Sequence, residues 1–571
     1  MSANQSKHWQ FLEDELIAEA QNFEKKFSMR AQTLLLEKEE MYVGQLVGFR
    51  GGEMLVKFPN TRTIPRKREF LYCMLLPAEL RLYRNWGDRT YEDLYAQRFK
   101  GTELVCVWHS KSDDLRCSLV GFSEVELSFE EFIKDTPGIL LVFAPKRPPI
   151  EYIANLQKVI LDSTGSKIDM PTSEKGSKDG GCPVLIKDED TCNYIYTKLI
   201  NKDIVILQGP PGTGKTYVIA QLCRKLALEG KSVLVTALTN RALMEVAGKP
   251  ALEDLLEAGK VSKTSLTVNE RNELPYLREV DDYSPLKGSI ILSTYYKSSA
   301  YASEMQSDSK FDFVIMDEAS QAFTAMFIAC LKMGKKNLWV GDTKQMPPIV
   351  ELSFERIRKN EYSKFINGME FISAYSNEPI YQLTSTRRFG SRAAWFTGIF
   401  YDNTLETKVL TQDIQVPEYL KSYLNPQGGP ALIIKHMAVG DLTPVDVISY
   451  ILNIVRAYLE ISPKKKIAIL AHQVRTANAI QIALMRAGID SRDVIADTVA
   501  RVQGLTTDVA IYLVVNSSYS FSLNPKLFNV ATSRAREHTI IIADESAITH
   551  GRTDDVNIYL RTLKNDKSER I

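Results

Sequence analysis

The chain has 571 residues, a length that suits about three or four domains with buried cores of their own. Its 71 basic and 70 acidic side chains leave a net charge of +1, so overall charge does not mark a nucleic-acid binder and any basic binding surface must be local. The seven cysteines form no C-x-x-C pair, which indicates reduced thiols of a cytoplasmic protein without structural zinc. The sequence also has no run of about 18 apolar residues, so neither secretion nor a membrane partner is expected.

The first predicted element is an amphipathic helix. From Trp9 to about Glu40, apolar residues recur every three or four positions among charged ones, and this stripe needs a partner to cover it. At Tyr42 the pattern changes to short alternating segments, the first two joined by Gly51-Gly52, which predict a small β-barrel over residues 41–146. A second helix, predicted from Ile150 to Leu161, can pair with the first as a two-helix stalk.

A basic and aromatic stretch lies inside the predicted barrel. Arginines beside aromatic rings suit a single nucleic-acid strand, because they engage both its phosphates and the faces of its bases. The alternative is that the rings belong to the core and the arginines form a solvated face. The stretch comprises Arg62, Arg66, Lys67, Arg68, Tyr72, Arg81, Tyr83, Arg84, Trp86, Arg89, Tyr91, Tyr95 and Arg98.

The central motif follows the apolar segment from Ile204 to Leu207, which predicts a strand. Gln208 follows, and the residues from Gly209 to Thr216 fit the pattern G-x-x-x-x-G-K-[ST] of a phosphate-binding loop, with apolar residues at helical spacing after them. Glycines let successive backbone N–H groups converge on a phosphate, while Lys215 reaches the outer phosphates and the Thr216 hydroxyl ligates Mg²⁺. The residues expected to bind the nucleotide here are Gly209, Pro210, Pro211, Gly212, Thr213, Gly214, Lys215 and Thr216.

After this loop, apolar strand segments alternate with helical stretches, a pattern typical of a parallel sheet flanked by helices. Two such sets occur and only the first carries a phosphate loop, so the predicted fold class is α/β with two non-equivalent parallel-sheet domains. The predicted domain limits are 1–40 and 147–162 for the stalk helices, 41–146 for the barrel, 163–183 for a flexible linker, 184–377 for the first sheet domain and 378–571 for the second.

Two adjacent carboxylates close the apolar segment from Phe313 to Met316. Asp317 and Glu318 are therefore expected at the carboxyl end of a central strand, where nucleotide sites form in open α/β sheets. In that position Asp317 holds Mg²⁺ through water, and Glu318 orients and deprotonates the attacking water.

With the phosphate loop, the segment from Asp317 to Gln321 resembles superfamily 1 helicases, in the branch that contains the nonsense-mediated-decay helicase, senataxin and the immunoglobulin mu-binding helicase. The resemblance covers residues 185–545 and implies two RecA-like domains with an accessory stalk and barrel. Further segments similar to family motifs are 341–348 (motif III), 383–389 (motif IV), 503–508 (motif V) and 529–536 (motif VI). The resemblance makes Gln345 a sensor of the γ-phosphate, Arg388 a phosphate contact and Arg534 the arginine finger.

The resemblance also assigns contacts with a nucleic-acid backbone to Thr236, Asn240, Thr294 and Thr498, each of which could instead be an ordinary strand-end cap.

The chain departs from the family where the base of the nucleotide is read. Cys192, with Asn193 beside it, stands at the position of an adenine-reading glutamine, and Arg387 stands where an aromatic ring stacks on the adenine. Thr506, close to Gly504, replaces the motif V glutamate. A thiol cannot reproduce the paired hydrogen bonds of an amide, so these departures predict that other nucleoside triphosphates are hydrolysed within about tenfold of ATP. The alternative is that Asn193, one residue along, takes over the role of the glutamine after a small shift of the helix.

The sequence thus predicts an ATP-hydrolysing enzyme that uses Mg²⁺, moves along single-stranded DNA or RNA and unwinds duplexes, with the 5′-to-3′ polarity that the resemblance implies. One alternative is a nucleic-acid-stimulated ATPase that acts as a switch or remodels nucleoproteins without unwinding. Another is a binding protein without hydrolysis, against which the intact Lys215, Asp317 and Glu318 argue. The expected location is the cytoplasm, or the nucleus in a eukaryote.

Overall fold

The computed structural model describes residues 3–59, 64–80, 86–111, 116–162, 183–187, 190–305, 309–375, 378–410, 413–489, 493–502, 504–550 and 554–568. These residues form a closed β-barrel, two large parallel sheets, a two-stranded parallel sheet of Ser385–Thr386 and Glu406–Thr407, and flanking helices, which confirms the predicted fold class. Arg62, Arg81, Tyr83, Arg84, Gln503 and nearly all of the predicted linker lie outside the described residues. Within the described part of the chain, every helix is too short or too polar to cross a membrane.

The chain divides into two compact units, the first made of residues 1–21, 148–387 and 404–408, the second of residues 22–147, 388–403 and 409–571. The barrel therefore belongs to the same unit as the second parallel sheet. The predicted limits differ from this division at residue 378. Strand Ile380–Leu383 pairs with strand Ile204–Gln208 and so extends the first sheet, and the chain as far as Arg387 belongs to the first unit.

The barrel consists of six antiparallel strands. In spatial order they are Tyr42–Arg50, Glu53–Pro59, Cys117–Ser123, Lys100–Lys111, Phe70–Leu75 and Leu140–Pro145. Strand Phe70–Leu75 was not predicted, because most of its residues are buried and the two-residue alternation of a half-exposed strand is absent.

The first predicted helix is shorter than expected. Helix Ala3–Phe27 ends before Arg30, whose backbone is extended (φ −61°, ψ 138°) and bridges to Thr90, and a separate helix, Ala31–Leu36, follows. The second stalk helix, Ile150–Asp162, meets the first where Gln157 Nε2 donates to Glu13 Oε2 at 2.7 Å.

The sheet of the first unit has nine parallel strands. Their order is Arg278–Glu279, Val261–Lys263, Ile290–Thr294, Val233–Ala237, Phe311–Met316, Gly334–Gly341, Ile204–Gln208, Ile380–Leu383 and Val184–Ile186. Helices cover both faces, so the central strands are buried on both sides, with Val205 and Leu207 in one core cluster and Ile204 and Ile206 in the other. Besides Ile150–Asp162, the helices of this unit are Thr191–Asn201, Lys215–Leu228, Asn240–Ala247, Glu253–Glu257, Val268–Glu273, Tyr295–Glu304, Thr324–Met333, Phe354–Lys359, Ser363–Ile366 and Gly368–Tyr375.

The sheet of the second unit has five parallel strands, in the order Gly429–Ile434, Ala535–Ala543, Thr507–Val514, Ile467–Ala471 and Val494–Thr498. The helices of this unit that lie wholly within it are Ala31–Leu36, Tyr91–Gln97, Leu127–Ile133, Ser391–Gly398, Val445–Ile461, Val474–Arg486, Tyr519–Ser522, Pro525–Thr532, Ser546–His550 and Asp554–Ser568.

Candidate active site

The phosphate loop connects strand Ile204–Gln208 to helix Lys215–Leu228. Gly212 and Gly214 have φ angles of 74° and 84°, in the left-handed region that favours glycine. At Gly209, an added Cβ would come within 2.4 Å of the Lys215 side chain, whose Nζ donates to the Gly209 carbonyl at 2.5 Å. The loop and the N–H groups of the first helical turn therefore form a cradle of donors that fits a phosphate.

Asp317 directly follows strand Phe311–Met316 and lies close to this loop. The carboxylate is 3% exposed, and burial raises its pKa to about 6, while the N–H of Glu318 and the charge of Lys215 act in the opposite direction. Glu318 has φ 54° and ψ 33°, a left-handed conformation that is uncommon for a residue other than glycine. The structure thus brings Lys215, Asp317 and Glu318 together at one edge of the first sheet.

A buried polar network joins the phosphate-loop strand to the segment that contains Gln345. Gln208 Nε2 donates to Asp342 Oδ1 at 2.7 Å, and Gln345 Nε2 donates to Asp342 Oδ2 at 2.7 Å. Gln208 Oε1 accepts from the N–H of Thr343 at 3.1 Å. Gln345 is therefore held through one carboxylate by the residue that precedes the loop, a link that was not predicted because the two segments are far apart in sequence.

The four residues predicted to contact nucleic acid differ in exposure. Thr236 is fully buried and its hydroxyl donates to Ser298 Oγ at 2.9 Å, so it supports the strand end from inside and does not offer a hydroxyl to a ligand. Thr294 is half-buried and caps helix Tyr295–Glu304, where its hydroxyl accepts from the N–H of Lys297. Asn240 is the half-buried first residue of a helix.

Thr498, the fourth predicted contact, lies in the second unit at the end of strand Val494–Thr498. It is 6% exposed, and its N–H donates to Asp497 Oδ1 at 2.7 Å.

The two predicted catalytic arginines lie near each other in the second unit. Arg388 donates to the carbonyl of Ser533 at 2.8 Å, next to Arg534. Arg534 is 2% exposed, and its Nε donates to the carbonyl of Val530 at 2.8 Å. Nη1 of the same guanidinium group donates to the carbonyl of Leu505, between Gly504 and Thr506, at 3.4 Å. The segments around 388, 504–506 and 534 therefore converge within this unit.

The residues predicted to surround the base lie in the first unit. Cys192 is half-buried, and burial raises the pKa of its thiol to about 11, so it stays a weak donor. The amide of Asn193 accepts from Lys225 Nζ at 2.6 Å and donates to Asp190, so both of its ends are engaged. Arg387 donates its backbone N–H to the carbonyl of Gly212 at 2.8 Å, which places it beside the phosphate loop.

Lys225, which the sequence analysis does not single out, lies on helix Lys215–Leu228, the helix that follows the phosphate loop. It lies over the ring of Tyr196 at 3.8 Å, and the hydroxyl of Tyr196 donates to Glu229 at 2.6 Å. A cation and an aromatic face thus stand next to Asn193.

The aromatic residues of the barrel region are partly core residues. Trp86 and Tyr91 are each 1% exposed and cannot stack on a base. Arg66 is also buried and forms an ion pair with Glu69 at 3.1 Å. Arg98 lies over the ring of Tyr95 at 3.7 Å. Trp86 and Tyr91 are therefore core residues, as the alternative to strand binding predicts. Arg66 is buried in an ion pair, so it lies neither on a solvated face nor on an open binding surface.

Two family models match the chain, each described as an AAA domain, one over residues 193–351 and the other over residues 393–546. The DNA replication ATP-dependent helicase/nuclease DNA2 of Saccharomyces cerevisiae is 27% identical over 270 residues, which cover 45% of this chain and 18% of that protein. The DNA polymerase alpha-associated DNA helicase A of Schizosaccharomyces pombe is 24% identical over 420 residues, which cover 61% of this chain and 62% of that protein.

Both matches span less than two thirds of the relative's length. Among solved structures, the arterivirus nonstructural protein 10 helicase has 13% sequence identity and a TM-score of 0.36, over 85% of this chain and 80% of that one.

Proposed function

We propose that this chain, which belongs to the superfamily 1 helicases, hydrolyses ATP to move along single-stranded nucleic acid and to separate duplex strands. The observation that carries the proposal is the proximity of Asp317 and Glu318 to Lys215 of the phosphate loop, at the carboxyl edge of one parallel sheet. The names of both relatives refer to DNA, so single-stranded DNA is the first substrate to test and RNA the second.

The loop and the carboxylates have separate tasks in this proposal. The N–H groups after Gly212 and the ammonium of Lys215 bind the phosphates of ATP. The Thr216 hydroxyl and the Asp317 carboxylate would hold Mg²⁺, which neutralises phosphate charge when it is bound. Since the pKa of Asp317 is about 6, its carboxylate is available in the ionised form near neutral pH. Glu318 accepts the proton of the attacking water.

Further positive charge is required as the phosphoryl group leaves, and we assign it to Arg388 and Arg534. Arginine fingers accelerate phosphoryl transfer by about 10³–10⁵. Gln345, held through Asp342, responds to the terminal phosphate. Contacts with the strand are assigned to the strand-end residues Thr294, Asn240 and Thr498, whose short polar side chains suit sugars and phosphates without reading sequence. The 5′-to-3′ direction is part of the same proposal.

The test measures ATP hydrolysis with no polymer, with single-stranded DNA and with single-stranded RNA, followed by strand separation on duplexes with a 5′ or a 3′ overhang. We expect stimulation by a single strand and unwinding from the 5′ overhang. The Glu318→Gln variant should bind ATP with an affinity within about twofold of the wild type and lose turnover, because the amide keeps the shape of the side chain but cannot take the proton. Stimulated hydrolysis without strand separation would instead support an ATPase switch or a nucleoprotein remodeller.

A further inference from the structure

We propose that Tyr295 is a positioning residue for ATP hydrolysis, because its hydroxyl holds the peptide group from which the base Glu318 projects. The inference rests on the proposed function and names a residue that neither the phosphate loop nor the acidic pair contains. Tyr295 is fully buried in the core of the first unit, at the start of helix Tyr295–Glu304.

The peptide group between Asp317 and Glu318 is held at both of its polar atoms. The Tyr295 hydroxyl donates to the carbonyl oxygen of Asp317 at 2.5 Å. The N–H of Glu318 donates to the Asp317 carboxylate, at 2.8 Å from Oδ1. A rotation of this peptide group would break both hydrogen bonds, so the two contacts together fix its orientation.

This orientation matters because Glu318 is in a left-handed conformation, with φ 54°. An L-residue disfavours that region because its Cβ approaches a backbone carbonyl. Rotation of the preceding peptide group would change φ of Glu318 and relieve the crowding, and it would also redirect the Glu318 side chain. The Tyr295 hydroxyl opposes that relaxation and so keeps the carboxylate directed for proton transfer.

The hydroxyl is suited to act as a permanent donor. The hydroxyl is buried, and a phenol, whose ordinary pKa is about 10, is protonated at neutral pH and so always has a proton to donate. The Cα of Tyr295 is also firmly placed, since the helix is capped by Thr294 and packs on the stalk helix Ile150–Asp162.

A second route connects the same helix to the catalytic strand. Ser298, one turn after Tyr295, accepts from the Thr236 hydroxyl at 2.9 Å, and the carbonyl of Thr236 accepts from the N–H of Asp317 at 2.9 Å. Thr294, assigned to the nucleic-acid strand, therefore begins a helix that is linked to Asp317 at two points.

The test is Tyr295→Phe, which removes the hydroxyl and keeps the ring. We expect DNA-stimulated kcat to fall by about tenfold or more, while KM for ATP and nucleotide affinity stay within about twofold, since the phosphate loop is untouched. The matched control is Tyr301→Phe on the same helix, whose hydroxyl donates to the carbonyl of Tyr283 at 3.4 Å. The control should keep kcat within about twofold of the wild type.

A double variant separates positioning from simple stabilisation. In the Glu318→Gln background, Tyr295→Phe should lower residual turnover by less than about twofold, because the group that it positions is already lost. The inference would be wrong if the losses of kcat from the two substitutions multiplied in the double variant, if kcat were unchanged in Tyr295→Phe, or if Tyr295→Phe lowered kcat and nucleotide affinity in parallel. Each of these outcomes would leave the proposed function standing. Full turnover in Glu318→Gln itself would remove the proposed catalytic base, and the inference with it.

Discussion

Replacing Gln208 by alanine tests how the phosphate loop is linked to the segment from Asp342 to Gln345. The substitution removes the hydrogen bond that Gln208 donates to a buried carboxylate at 2.7 Å. It also removes the two that Thr343 donates to Gln208 Oε1, from its N–H at 3.1 Å and from its hydroxyl at 3.3 Å. A hydrogen bond to a charged group contributes about 1.5–3 kcal/mol and a neutral one about 0.5–1.5 kcal/mol. Since the three share one side chain and do not add fully, we expect a loss of about 2–4 kcal/mol in the free energy of unfolding.

The effect on catalysis should be larger on kcat than on KM. Gln345 donates to Asp342, whose Oδ1 accepts from both Gln208 and the N–H of Lys344. Without Gln208 the carboxylate keeps only the Lys344 contact on Oδ1 and orients Gln345 less firmly. We expect kcat to fall about tenfold and KM for ATP to change by less than about threefold. Urea unfolding and steady-state ATP hydrolysis with saturating single-stranded DNA measure the two quantities.

Gln382 provides the matched control. It lies beside Gln208 on the neighbouring strand, it is 7% exposed against 6%, and its amide donates to Thr404 Oγ1 at 2.8 Å. Gln382→Ala should destabilise the unit and leave kcat within about twofold. Equal losses of kcat in both variants would refute the reasoning, because the loss would then follow from removing any buried glutamine of the sheet and not from the contact with Asp342.

Three further predictions concern the site. For Asp317, the folded pKa of about 6 lies above the ordinary value of 3.8, so the folded state holds more protons between these values and stability falls as pH rises through that window. Asp317→Asn should therefore be more stable than the wild type above pH 6 by up to about 3 kcal/mol in urea unfolding, while wild-type turnover declines below pH 6 as the carboxylate is protonated. Arg534→Ala should slow hydrolysis about 10³-fold or more and leave nucleotide-free DNA affinity within about threefold, as rapid-quench and anisotropy assays would measure; equal losses would indicate a misfolded second unit. GTP should support a kcat/KM within about tenfold of that for ATP, since the Asn193 amide is already engaged at both ends, and a strong ATP preference that is lost in Asn193→Ala would contradict this.

The parts of the fold that were predicted are those with a strong local pattern. The strands Ile204–Gln208 and Phe311–Met316 are continuous apolar runs between polar ends, and such runs are typical of the centre of a parallel sheet. Strand Phe70–Leu75 has no clean alternation, and Val184–Ile186 is too short to produce a pattern at all. Strand Ile380–Leu383 could not be assigned to the first sheet from sequence, because only long-range pairing decides which sheet a strand joins.

The same distinction applies to the site. Lys215 and Asp317 were found because each belongs to a short motif whose spacing is set by local geometry. Tyr295 and Gln208 act through contacts with residues 22 and 134 positions away, and no periodicity records such a contact. Thr236 was assigned to the nucleic-acid track from its place at a strand end, but burial decides whether a hydroxyl faces a ligand or a neighbouring helix, and here it faces Ser298.

The catalytic pair is unfavourable for the fold in two ways that the surrounding residues offset. Burial opposes the charge of Asp317, and the left-handed backbone of Glu318 is strained. Each unfavourable feature faces a specific compensation: the N–H of Glu318 and the charge of Lys215 favour the ionised Asp317, and the Tyr295 hydroxyl holds the peptide group. Because Lys215 belongs to the phosphate loop and Tyr295 begins the helix capped by Thr294, the support of the two carboxylates comes from the two elements assigned to nucleotide and to nucleic acid. A change in either ligand therefore reaches a group that supports the catalytic pair, Lys215 through its charge and Tyr295 through its hydrogen bond to the backbone carbonyl of Asp317.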